Sequence, residues 1–259
     1  MLKNRWSVKK INSETQHDIK LELDVRCQKT IEKILRKEFP KIPILGEEGV
    51  TGNIKEQTRW VVDPIDGTVN FAHGIPHSCV SIALQENHET VVGVVYDPFV
   101  AELFTAIRGQ RAKLNGRIIS VSKRPKLEQA IVFVGFAKNL FDTMLPTMTA
   151  LTQRARKIRI MGSAALAAVY VAAGRADMYL EYGVRLWDIA AGGLIIECAG
   201  GEFWNRPVEG EHAYVRVKRG GSFERQDVTL GAANTHEVVV QTGLQEGVTI
   251  ARNAAVTRR

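Results

Sequence analysis

Apolar and polar positions along the chain change period several times, and each change marks an element. From Asp24 to Phe39 the apolar residues Ile31, Ile34 and Leu35 recur at helical spacing, and Pro40 closes the helix. Ile44 to Gly46 is a short apolar strand that runs into Glu47 and Glu48, and the polar, glycine-containing Gly49 to Thr58 reads as a mobile loop. Trp60 to Val62 is a strand-type apolar run that delivers Asp63. Ser78 to Leu84, Val91 to Tyr96 and Glu102 to Ala106 read as successive strands with turns at Glu86 to Glu89 and Asp97-Pro98, and Asn115-Gly116 predicts a hairpin before Ile118 to Val121. That stretch predicts an antiparallel sheet. Strand and helix patterns then alternate at Lys157 to Met161, Ala164 to Ala173, Asp177 to Glu181, Ile189 to Ala199 and Val228 to Ala232, which predicts a layered α/β lobe.

The candidate chemistry lies where the Trp60 run ends, in Asp63-Pro64-Ile65-Asp66-Gly67-Thr68. Pro64 and Gly67 make a turn that brings two carboxylates together. Such a pair repels itself unless a cation neutralises it, and hard cations such as Mg²⁺ take oxygen ligands. Gly67 and Thr68 add backbone N–H groups for a phosphate and a hydroxyl for a water. A plain Asp-Pro turn with Asp66 or Thr68 capping a helix explains the same letters. Asp24 and Asp188 are also satisfied as helix caps, and Ser163 as the N-cap of the alanine-rich helix, whose first turn suits an anion. His73 and His77 flank Gly74-Ile75-Pro76, but no matching ligand cluster follows, so loop packing is the expectation for both.

Composition narrows the classes. The 259 residues are 45% hydrophobic and 24% charged, enough for a sizeable core in one large domain or two joined lobes. Three separated cysteines, Cys27, Cys79 and Cys198, suggest neither a zinc site nor a disulfide framework, and fit a reducing cytoplasm. No apolar leader and no membrane-spanning run stands out, so neither secretion nor a membrane is expected. The net charge of +7 raises nucleic acid as a partner. The cations are spread out, with modest groups at Arg154 to Arg159, Arg216 to Arg225 and Arg252 to Arg259, and no aromatic-interleaved motif accompanies them, which weighs against that partner.

Glu47-Glu48, Asp63-Pro64-Ile65-Asp66-Gly67-Thr68 and Trp187-Asp188, in this order and spacing, resemble the inositol monophosphatase family of lithium-sensitive, magnesium-dependent sugar and nucleotide phosphatases. Matching features run from about Asp18 to about Asn234. The resemblance implies an α+β fold of layered αβαβα sugar-phosphatase architecture, with a mainly antiparallel N-terminal sheet (lobe about 1–137) and a smaller α/β C-terminal lobe (about 138–259), in a single catalytic domain over 1–259. It implies that Glu47, Asp63, the Ile65 carbonyl, Asp66 and Asp188 hold two or three Mg²⁺ ions, with Asp24, and second to it Asp18, near the most weakly held one and Glu48 orienting Glu47 or a water. Thr68, paired with Asp24, and Glu47 then serve the attacking water. Gly67, Thr68, Gly162, Ser163, Ala164, Glu181 and Asp188 are implied to bind substrate, Glu181 through a substrate hydroxyl. A homodimer acting on a small phosphorylated polyol is the implied assembly.

Val69-Asn70-Phe71-Ala72-His73-Gly74-Ile75-Pro76 points to inositol phosphate ahead of fructose 1,6-bisphosphate, a 3'(2'),5'-bisphosphonucleotide or histidinol phosphate. A non-catalytic role in transcription or RNA processing is the alternative of a different class. The segment Glu202 to Asp227, rich in Glu, Arg and Gly, departs from the family pattern.

Overall fold

The computed structural model describes residues 11–14, 19–53, 56–136, 141–204, 212–219, 222–233, 238–242 and 257–258. The chain divides into two units, Met1–Glu202 and Phe203–Arg259. In the first, β1 (Ile11–Glu14) and β2 (Ile19–Leu21) pair antiparallel and lead into α1 (Glu22–Glu38). There follow β3 (Ile44–Gly46), β4 (Gly49–Thr51), β5 (Thr58–Asp66), α2 (Thr68–His73), β6 (Cys79–Glu86), β7 (Glu89–Asp97), β8 (Glu102–Ile107), β9 (Lys113–Leu114) and β10 (Arg117–Ile118). These eight strands form one sheet in the order β10-β9-β8-β7-β6-β5-β3-β4, antiparallel at every pairing except β3 with β5. A smaller parallel sheet has β11 (Ile131–Phe136) between β12 (Lys157–Arg159) and β13 (Met178–Tyr182), with α3 (Phe141–Arg154), α4 (Ala164–Ala172) and α5 (Leu186–Cys198) interleaved in sequence.

Strand alternation sets the layers. Trp60 and Val62 of β5, with Ile44 of β3, face Ile31 and Leu35 of α1. Val61 and Asp63 point to the opposite face, where Ser81 Oγ donates to the Trp187 carbonyl at 3.2 Å and α5 lies flat on the sheet. α4 packs on α5, and Ala167 and Val171 of α4 meet Phe133 of β11. Val132 and Val134, on the other side of β11, pack on Met144 and Leu151 of α3. Helix, sheet, helices, sheet and helix therefore stack in five layers, the αβαβα arrangement expected.

Two readings change. Gly49–Thr51, expected within a mobile loop, is strand β4, because the tight Glu47-Glu48 turn folds it back along β3 with Gly46 opposite Gly49. β11 and α3 were not foreseen; Pro146 inside α3 masks the helical pattern that surrounds it. The second unit contains β14 (His212–Arg219), β15 (Ser222–Ala233), β16 (Val238–Thr242) and β17 (Thr257–Arg258), an antiparallel sheet in the order β16-β15-β14-β17, so the segment that departs from the family pattern includes a hairpin.

Gly93 of β7 sets how closely α5 approaches, since a Cβ there would lie 2.8 Å from the Ala191 carbonyl oxygen. The obstacle is backbone and cannot rotate away. Gly93→Ala is expected to destabilise the protein by about 2 kcal/mol, a fall of roughly 4–8 °C in Tm by calorimetry; an unchanged Tm would show that the layers separate at little cost.

Candidate active site

β5 is buried along nearly its whole length, and the strand geometry breaks at Pro64, where the pairing register with β6 shifts between Asp63 and Asp66. Asp63 Oδ1 accepts the Ile65 N–H at 3.0 Å, and Thr68 Oγ1 donates to the Ile65 carbonyl at 2.9 Å. This tight turn leaves both carboxylates on the inner side of the strand end. Gly67 has φ of 87°, a left-handed conformation, and a Cβ there would stand 3.0 Å from the His77 carbonyl oxygen. Only glycine takes that place without strain.

Asp63, Asp66 and Asp188, the last on the first turn of α5, each offer an oxygen within 4.8 Å of the others. Asp188 also accepts the Arg185 N–H at 2.5 Å, so the capping role and the cluster role coexist. Glu47 is set by the parallel pairing of β3 with β5, its N–H donating to the Val62 carbonyl at 3.1 Å, and its side chain shares a hydrogen bond with Asp63. Gln28 of α1, missed in the sequence, clamps this turn: its Oε1 accepts the Glu48 N–H at 2.9 Å and its Nε2 donates to the Gly49 carbonyl at 3.1 Å. Glu48 is thus held through its backbone. Asp24, buried in the first turn of α1, adds its negative charge to the field at Glu47. The single hydroxyl proton of Thr68 goes to Ile65, so pairing with Asp24 as its donor requires the hydroxyl to rotate.

The Gly162-Ser163-Ala164 turn meets the acidic centre directly. Ser163 donates its hydroxyl to Asp66 and caps α4 by accepting the Leu166 N–H at 3.3 Å. Asp66 also accepts N–H groups from Ala164 at 3.2 Å and Ala165 at 2.8 Å, so the anion on this helix terminus is a side chain of the protein itself. Cys79 Sγ stands 3.6 Å from the same carboxylate. Asn70, which the sequence offers only as part of the motif that points to the substrate, latches α2 to this turn by donating to the Met161 carbonyl at 2.8 Å and the His77 carbonyl at 2.9 Å. His77 is buried, with its ring 5.9 Å from that of Tyr170, in keeping with a packing role. Glu181 on β13 receives the Tyr179 hydroxyl and feels the charge of Asp66.

Burial pushes Asp188 up from 3.8 to about 8, with the charges of Asp66, Glu47 and Glu181 adding to it. Burial likewise takes Glu47 to about 7, against the opposing effect of its bond to Asp63. Asp63 is held well above its ordinary range by burial and then by Asp66, Glu47 and Asp188. Buried carboxyls that cannot all ionise, and that offer only hard oxygen atoms, fit a divalent cation. In each case the folded value lies above the unfolded one, so the native state binds the extra proton, and the stability this gives is present at low pH and lost as pH rises from about 4 to about 8. One pKa unit is worth about 1.4 kcal/mol. Over the three units from pH 5 to pH 8 the Asp188 shift alone amounts to about 4 kcal/mol, so without metal Tm is expected to fall by roughly 8–16 °C, and saturating Mg²⁺ should flatten that slope; the same slope with and without Mg²⁺ would mean that these carboxyls do not receive the cation.

The layered fold and its acidic centre define a class of metal-dependent phosphatases, and the chain belongs to the inositol monophosphatase family, whose sequence profile it matches over residues 1–241. It is 43% identical over 202 residues to the Nus factor SuhB of Xylella fastidiosa, covering 76% of this chain and 73% of that one. It is 42% identical over 184 residues to the fructose-1,6-bisphosphatase/inositol-1-monophosphatase of Thermotoga maritima, covering 71% and 70%. Among solved structures it is similar to the extragenic suppressor protein suhB from Bartonella henselae (TM-score 0.71, 39% identity, 74% of this chain and 75% of that one). It is also similar to the inositol monophosphatase from Anabaena (TM-score 0.66, 40% identity, 68% and 72%). Among the described residues no helix is long and apolar enough to cross a membrane.

Proposed function

We propose that the protein is a Mg²⁺-dependent phosphomonoester hydrolase that converts inositol 1-phosphate to inositol and phosphate, with water as the direct nucleophile. The observation that carries this reading is the meeting of the Asp63, Asp66 and Asp188 oxygen atoms within 4.8 Å. Glu47, Asp63, the Ile65 carbonyl, Asp66 and Asp188 would hold two or three Mg²⁺ ions, beside Asp24. When bound, Mg²⁺ supplies Lewis acidity, which acidifies the attacking water and offsets charge on the phosphoryl group and the leaving oxygen. Thr68, whose hydroxyl leans on the Ile65 carbonyl, orients the water, and Glu47 takes its proton. The new P–O bond forms as the ester P–O bond breaks, and the released alkoxide takes up a proton. Glu181 accepts a hydrogen bond from a hydroxyl of the polyol, which sets the ring relative to the phosphate.

A Thermotoga relative named for both fructose-1,6-bisphosphatase and inositol-1-monophosphatase keeps a bisphosphate in play. Relatives named Nus factor SuhB, with the net charge of +7, favour a second reading, a role in transcription carried by a partner surface. The test is purified protein with Mg²⁺ against inositol 1-phosphate, fructose 1,6-bisphosphate, a 3'(2'),5'-bisphosphonucleotide and histidinol phosphate, repeated with Li⁺ at limiting Mg²⁺. Fastest turnover of inositol 1-phosphate, with inhibition by Li⁺, is expected. No turnover of any of the four would overturn the hydrolase reading in favour of the second.

A further inference from the structure

Tyr179 lies two residues before Glu181 on β13, on the same face of the strand, and nothing in the reaction described so far uses it. Its ring packs against the buried group formed by Phe133, Ala167, Val171 and Ala176, so the phenol is anchored. Its hydroxyl donates to Glu181 Oε2. The Glu181 carboxylate lies over Gly135, its neighbour on β11, because a Cβ on Gly135 would stand 2.1 Å from that same oxygen. The carboxylate is thus confined between an aromatic donor fixed in the core and a strand stripped of its side chain. A free glutamate could rotate to place either oxygen towards solvent or towards the cation ligands. This one has Oε2 committed to the phenol and keeps Oε1 as the remaining acceptor.

We infer that Tyr179 is a positioning residue that fixes Glu181 with one oxygen turned to the substrate, and so selects phosphate esters of polyols, which bring a hydroxyl to it, over esters without one. The inference rests on the proposed hydrolase reading. Preorganising the acceptor removes an ordering cost at binding, so its loss should fall on KM for a polyol ester more than on kcat.

The test is a double-mutant cycle of Tyr179→Phe and Glu181→Gln, assayed on inositol 1-phosphate and on p-nitrophenyl phosphate at saturating Mg²⁺. Tyr179→Phe should lower kcat/KM for inositol 1-phosphate about fivefold, mostly through KM, change p-nitrophenyl phosphate less than about twofold, and cost nothing further in the Glu181→Gln background. Additive losses in the double variant, or equal losses on both esters, would overturn the inference while leaving the hydrolase reading standing. If Tyr179→Phe fails to fold, judged by its melting curve, Gly135→Ala takes its place. That methyl should displace the Glu181 carboxylate and give the same loss confined to inositol 1-phosphate, and unchanged selectivity would again overturn the inference. A parent protein inactive on both esters would fail the hydrolase reading first, and this inference with it.

Discussion

Asp66→Asn is expected to abolish phosphatase activity, by at least about 100-fold, while the protein still folds. A hundredfold loss corresponds to roughly 2.7 kcal/mol of barrier, a modest demand on a residue that, on the proposed reading, both contributes charge to the cation site and orders the turn that meets substrate. Asparagine keeps the shape and one acceptor oxygen but removes the charge that, on the proposed reading, draws Mg²⁺ in. Two effects on stability oppose each other. The N–H groups of Ala164 and Ala165 and the Ser163 hydroxyl share a poorer acceptor, which costs about 1 kcal/mol. Removing one charge relieves the repulsion that adds to burial in raising Asp63 and Asp188, which returns a similar amount. The Ser163 cap of α4 through Leu166 is untouched. The metal-free Tm should therefore stay within a few degrees of the parent, and the rise in Tm on adding Mg²⁺ should disappear. Activity within tenfold of the parent, or a preserved Mg²⁺ effect on Tm, would refute the assignment of Asp66 to the cation.

Glu181→Gln should separate substrates instead of stopping catalysis. Burial raises the Glu181 carboxyl to about 7, with the Tyr179 hydroxyl pulling the other way and Asp66 adding to the rise. In such a place a substrate hydroxyl with no acceptor costs on the order of 1–3 kcal/mol. Glutamine can still take the Tyr179 bond through its oxygen, but that leaves an NH₂ group facing the hydroxyl where an acceptor stood. Turnover of inositol 1-phosphate is expected to fall about tenfold or more in kcat/KM. p-Nitrophenyl phosphate, with no polyol hydroxyl, should be hydrolysed within two- to threefold of the parent rate. Equal losses on the two esters would place Glu181 with the cation ligands or the fold.

The sequence by itself determined the parts governed by local physics. Asp63-Pro64-Ile65-Asp66-Gly67-Thr68 is legible because proline, glycine and two acids leave few arrangements of so short a segment, and the observed turn uses each of them. α1, α4, α5 and the strands β5 to β8 follow from apolar period and turn residues, which act within a few positions. α3 is hidden where Pro146 breaks the local helical pattern, and β4 where polar residues hide a strand paired on one side only; β11 (Ile131–Phe136) is a short apolar run outside the alternation that the sequence reading followed. Those elements exist because neighbours in space complete them: α3 closes over Val132 and Val134, and β3 supplies the partner of β4.

Tertiary structure alone decided how the site is joined. Asp66 meets Ser163 across 97 positions of chain, Asn70 meets Met161 across 91, and Gln28 meets Glu48 across 20. Each of these residues reads locally as a turn, a cap or an ordinary polar position, because a hydrogen bond between distant residues leaves no period in either segment. The same holds for the raised carboxyls. Sequence supplies the number of acids, but burial of β5 on both faces and the distances among Asp63, Asp66 and Asp188 decide that they cannot all carry charge without a cation between them.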